Sequence, residues 1–132
     1  MSWKGVKKQS YEQEIKSWCD EMGIKNYTIN SQGEIDVDWF VDFRCCDFKE
    51  LPYKFGRVNG YFTIEGCKNL TSLKNCPNYT NGLFSCNECP KLDSLEGCPK
   101  EVGLSFYCGY CRRKFTKVEV KSLCKVIDNI YI

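Results

Sequence analysis

Residues 62–73 read Phe62-Thr-Ile64-Glu-Gly-Cys67-Lys-Asn-Leu70-Thr-Ser-Leu73, and the same anchors return 22 residues later as Phe84-Ser-Cys86-Asn-Glu-Cys89-Pro-Lys-Leu92-Asp-Ser-Leu95. A further copy begins Phe106-Tyr-Cys108-Gly-Tyr-Cys111. An earlier copy, one residue shorter, runs Val41-Asp-Phe43-Arg-Cys-Cys46-Asp-Phe48-Lys-Glu-Leu51-Pro52. Each unit is an apolar–x–apolar pair, then cysteine, then two apolar anchors, and Cys76 and Cys98 repeat at the same interval. A fixed period in the low twenties marks a coil that cannot bury its own apolar face, so that successive coils stack on one continuous core.

This pattern predicts an α/β (α+β) leucine-rich-repeat-like solenoid with one short parallel strand per repeat, centred on Asp42, Thr63, Ser85 and Tyr107. Side chains alternate on a strand, so the flanking apolar residues point inward. Leu70 with Leu73, and Leu92 with Leu95, bring the chain back across the convex side, while Asn59-Gly60 and Asn81-Gly82 turn it into the next strand. The chain is expected to be a single domain: residues 1–38 an N-terminal cap, 39–111 the repeats, 112–132 a helical C-terminal cap.

In the first cap, Ser10 and Gln13 have capping-box spacing. Ile15, Trp18, Cys19 and Met22 then follow at helical intervals up to Gly23. Tyr27 and Ile29, then Ile35 and Val37, alternate with polar residues around Asn30-Ser-Gln-Gly33 and predict a hairpin. In the last copy Lys114 stands where a leucine is expected. Thr116 and Glu119 form a second capping box, predicting a helix over 117–125 and a tail from Ile127 to Ile132 that seals the far end.

The formal charge of +2 is too small for a generic nucleic-acid binder, and no apolar run approaches a membrane span. Met1-Ser-Trp-Lys4 lacks the apolar core of a secretory signal, so a reducing cytoplasm is expected, with the eleven cysteines as free thiols or metal ligands. The absence of histidine removes Ser-His and Cys-His nucleophile pairs, and no carboxylate pair stands out. An enzyme is therefore not expected. Charge is polarised: residues 31–50 hold six carboxylates against Arg44 and Lys49, whereas residues 100–132 hold seven Lys/Arg against three acids.

Cys86-x-x-Cys89 and Cys108-x-x-Cys111 have the spacing of a four-cysteine zinc site. The repeat supplies a competing cause. Cys89 and Cys111 share a slot with Cys46 and Cys67, and Cys86 and Cys108 share one with Phe43 and Ile64, where cysteine acts as a small hydrophobe. Structural thiols with no cofactor are the expectation, zinc the alternative.

Asn26-Tyr-Thr-Ile-Asn30, Gly33-Glu-Ile-Asp-Val-Asp38, Glu50-Leu-Pro-Tyr-Lys-Phe-Gly56, Leu70-Thr-Ser-Leu73 and Ser94-Leu-Glu-Gly-Cys-Pro99 resemble phrases of small phage-encoded leucine-rich-repeat-like proteins. The likeness covers roughly residues 10–126. It implies a phage protein of the host cell cytoplasm, and little about mechanism, since the family mostly lacks assigned functions. The chain departs from the family pattern at Trp39-Phe40 and at Asn78-Tyr-Thr-Asn81, where bulky residues suggest a site.

The expected function is a protein-binding module, a phage factor that binds and inhibits or redirects a host protein, with a host defence enzyme as one target the resemblance suggests. Its concave face is expected to carry Asp42, Arg44, Thr63, Glu65, Ser85, Asn87, Tyr107 and Gly109. Trp39, Phe40, Tyr53, Phe55, Tyr61 and Tyr79 form a separate aromatic set, a self-association surface or cap packing, of which packing is favoured. The alternative is nucleic-acid contact through Arg112, Arg113, Lys114 and Lys117 beside Tyr107 and Tyr110. The acidic opposite end and low net charge argue against it.

Overall fold

The structure, a computed structural model, describes residues 3–132; Met1 and Ser2, part of the stretch read for a secretory signal, lie outside the described residues. Two sheets form the walls of a β-solenoid. The expected strand ladder is present as β3 (Val41–Asp42), β5 (Phe62–Thr63), β7 (Phe84–Ser85) and β9 (Phe106–Tyr107), all parallel, with Val41, Phe62, Phe84 and Phe106 in register. Each coil also contributes a second strand, which the repeat pattern did not announce. β4 (Phe55–Val58), β6 (Tyr79–Thr80) and β8 (Glu101–Val102) continue a sheet begun by the hairpin β1 (Tyr27–Ile29) and β2 (Ile35–Val37). Of that sheet only the β1–β2 pairing is antiparallel.

Two-residue strands are weak individually, and the core holds them in place. Phe62, Phe84 and Phe106 are fully buried and lie one above another, with ring centroids 6.0 and 5.2 Å apart. Ile64, Leu70, Leu73, Cys86, Leu92 and Val102 complete the filling at 0% exposure. Gly60, Gly82 and Gly103 occupy the corner between the sheets for reasons of space. A Cβ on Gly82 would meet the Gly60–Tyr61 backbone at 2.6 Å, so the corner stacks at backbone contact only without a side chain.

Helix α1 (Trp3–Glu21) covers the first coil. Ile15 and Cys19 are fully buried, and Trp18 meets Phe43, Tyr53 and Phe55 edge-on at 5.4–6.1 Å. The capping box assigned to Ser10 and Gln13 is not a helix start, because the helix begins well before them and both residues lie inside it. The buried apolar stripe decides the helix here, outweighing a local capping signal.

The last copy does not break down at Lys114. Phe115, one residue later and 1% exposed, fills the anchor slot, and helix α2 (Lys117–Leu123) replaces the irregular third side of the coil while burying Val120. The capping box of Thr116 and Glu119 is present as expected. The helix ends two residues earlier than predicted. The tail is a further coil edge: β10 (Lys125–Val126) pairs with β8, and β11 (Ile130–Tyr131) pairs with β9. Two extra residues relative to the 22-residue period accommodate the helix and take this coil off the repeat. Among the described residues no helix is long and apolar enough to cross a membrane.

Candidate partner-binding face

The outward side chains of the β3–β11 sheet form a stepped surface. Asp42, Thr63, Ser85, Tyr107 and Tyr131 occupy one register position, so small residues in the middle coils stand between larger ones at both ends. The result is a hollow of about 310 Å³ lined by Arg44, Tyr61, Thr63, Glu65, Leu83, Ser85, Asn87 and Tyr107. Six residues expected on the concave face thus come together from four coils, with Asp42 beside them on Arg44.

The floor is short and hydroxylic: Thr63 is 6% and Ser85 3% exposed. Thr63 Oγ1 accepts from the Glu65 backbone N–H at 3.2 Å, and Ser85 Oγ accepts from that of Asn87 at 3.3 Å. Each hydroxyl keeps its own proton to donate. Asn87 Oδ1 accepts from the Gly109 N–H at 2.7 Å, which fixes the side chain and leaves its amide donors facing outward. One wall is Tyr61 stacked on Phe40 at 4.8 Å; the other is Tyr107 stacked on Tyr131 at 4.7 Å. At the rim, Arg44 forms a bidentate fork with Asp42, donating at 2.9–3.2 Å, and this contact holds the Asp42 carboxyl below its ordinary range.

The aromatic set divides. Trp39 and Phe40 are exposed at the first coil, and Phe40 carries Tyr61 into the hollow. Tyr79 lies on the other sheet, where the Arg57 guanidinium sits 4.0 Å above its ring, and Tyr53 and Phe55 pack under α1. Leu83 was missed as a lining residue. It holds the register position just before each strand, shared with Phe40 and Tyr61, and that repeat position was the available signal.

The basic end is partly engaged within the protein. Arg113 pairs with Glu119, stacks on Phe115 at 4.6 Å and donates to the Asp93 carbonyl. Arg112, Lys114 and Lys117 are exposed, near a Tyr110 ring that is 85% exposed.

The cysteines form ladders. Cys67 Sγ donates to the Phe43 carbonyl at 3.2 Å, Cys89 Sγ to that of Ile64 at 3.3 Å, and Cys111 Sγ to that of Cys86 at 3.2 Å. Each thiol thereby ties its coil to the one before. Burial pushes the Cys89 and Cys108 thiols up to about 12, and Cys86 is raised first by its side-chain hydrogen bond with Cys111 and then by burial, so these groups stay protonated. Cys111 is half-buried, and a hydrogen bond from the Cys86 side chain holds it down, to about 7. Among the described residues no three Cys, Asp or Glu side chains gather where they could hold a metal ion. All eleven cysteines are free, and Cys45 is the exposed one.

No protein-family model, curated protein or solved structure matches the chain.

Proposed function

We propose that this protein is a non-enzymatic binding module that docks a partner protein on the outer face of the β3–β11 sheet. The hollow carries the reading. A rigid parallel ladder presents two unused hydroxyl donors, an oriented amide and a carboxylate between two aromatic walls. Interfaces gain energy where aromatic anchors surround satisfied polar groups, and a rigid face loses little entropy on docking. No pair of side chains in the hollow forms a nucleophile and base, which favours recognition over catalysis. Docking would act by steric occlusion of the partner. The sequence phrases that resemble phage solenoid proteins support the narrower form of the proposal: a phage factor in the host cytoplasm that inhibits or redirects a host protein.

The test is a pull-down from bacterial lysate, under reducing conditions, with wild type and Ser85→Lys in parallel. Lysine at position 85 would fill the floor without entering the core. One protein retained by wild type at high salt and lost by an equally stable S85K supports the face. Equal retention by both overturns it. Recovery of nucleic acid that elutes with salt, and is lost when Arg112 and Lys114 are neutralised, replaces this reading with the basic-end alternative.

A further inference from the structure

A second hollow, larger than the first and sharing no residue with it, lies where the irregular third side of the coils meets the β4–β6–β8 sheet. Its volume is about 630 Å³, and helix α2 closes one side with Leu123. Its charge is one-sided: Lys54, Lys74 and Lys100 line it against Glu96. Among the described residues, the ammonium group of neither Lys74 nor Lys100 has an ion-pair or hydrogen-bond partner, the ion pairs present being Arg44–Asp42, Arg113–Glu119 and Lys125–Glu101.

Lys54 is half-buried and donates to the carbonyls of Phe55 and Cys76 and to Asn78 Oδ1, crossing from one coil to the next. Burial lowers its pKa first; Glu34 and Cys76 oppose that shift, and Lys100 adds to it. Lys54 and Lys100 therefore feel one another, with Glu34 acting on Lys54 more strongly than Lys100 does and Glu96 as the acid in the lining.

The hydroxyls complete the pattern. Ser72 and Ser94 are one period apart and make the same local bond, each Oγ accepting a backbone N–H two residues on, at 3.0 and 3.1 Å. Neither hydroxyl donates to a protein acceptor among the described residues, so two protons in adjacent coils remain available beside Lys74 and Lys100. Coils repeat at about 4.8 Å, which suits two hydroxyl donors to neighbouring oxygens of one anion. Lysine acts as a point charge toward phosphate oxygens, and neutral hydroxyls supply direction.

We propose that this hollow binds a small phosphorylated ligand, a phosphate ester or an oligophosphate, with Lys74 and Lys100 neutralising the phosphate and Ser72 and Ser94 hydrogen-bonding it. Lys54 holds the coils that frame the hollow and leaves its three donors on protein acceptors.

Titration calorimetry of the full chain with inorganic pyrophosphate tests this, alongside Lys74→Gln/Lys100→Gln and, as a control, Lys114→Gln/Lys117→Gln at the basic end. Both doubles remove two exposed charges and leave the core untouched, and thermal melts confirm that each folds. Saturable one-to-one binding is expected, weakened roughly a hundredfold in K74Q/K100Q at about tenfold per lost charge-assisted contact. K114Q/K117Q should bind within about twofold of wild type. Ser72→Ala/Ser94→Ala should also weaken pyrophosphate without changing net charge, a loss that general charge attraction does not predict. No saturable binding by wild type, or equal weakening by both lysine doubles, overturns the proposal.

Discussion

Replacing Cys89 with alanine separates a structural ladder from a metal site. The thiol is fully buried, donates to the Ile64 carbonyl at 3.3 Å, and is surrounded by coils that cannot close over the gap independently. Removing the sulfur forfeits burial of about one methylene equivalent, roughly 0.8 kcal/mol. It also loses a weak hydrogen bond at the low end of the usual range, about 0.5 kcal/mol, and leaves a small void costing a further ~0.5 kcal/mol. The Ile64 carbonyl keeps the Cys67 N–H at 3.3 Å, so it is not orphaned and no larger penalty follows. A loss near 2 kcal/mol corresponds to a Tm lowered by about 6–10 °C in a chain of this size. The assay is a thermal melt under reducing conditions, with and without a zinc chelator, for alanine variants at positions 86, 89, 108 and 111. Chelator should leave every melt unchanged, and the half-buried Cys111 should cost less than the fully buried Cys86 and Cys89. A wild-type melt that drops with chelator, with all four variants equally and severely unstable, would refute the ladder and establish zinc, because a four-ligand site fails as a unit.

Two further outcomes follow from local geometry. Cys45, Gly66, Glu88 and Tyr110 take left-handed backbone at equivalent turns, with φ of 59°, 73°, 57° and 58°. Gly66→Ala should cost about 1–2 kcal/mol in denaturant melts, whereas Glu88→Ala should stay within about 0.5 kcal/mol because its strain is already present. Glu119 is held down to about 2, from an ordinary 4.5, first by its hydrogen bond with Arg113 and then by Thr116. Its folded-state pKa is depressed, so its contribution is complete above the ordinary value and disappears as pH falls toward 2. Helix α2 should loosen over that acid range, followed by circular dichroism, and Glu119→Gln should flatten that part of the profile.

The sequence alone determined the coil. The spacing of Phe62, Phe84 and Phe106 and of Cys67, Cys89 and Cys111 is a direct image of side chains stacked in register, because every coil must bury the same slots. It also showed which residues of the sheet face outward, since strand alternation is local. The second sheet was hidden: Tyr79-Thr80 and Glu101-Val102 are too short and too varied to signal strands, and only pairing with their neighbours makes them so. The last coil was hidden by a one-residue shift at Phe115 and by helix α2 after it, which leave Ile130 two residues off the period although both side chains are buried. Tertiary structure alone decided how the outward residues combine. Thr63 and Ser85 become a floor because Tyr61 and Tyr107 rise beside them, and Lys74 and Lys100 line one hollow because successive coils stack beside each other. Periodicity encodes what a coil shares with its neighbours; a site is made of their differences, which become neighbours in space only after the coils have stacked.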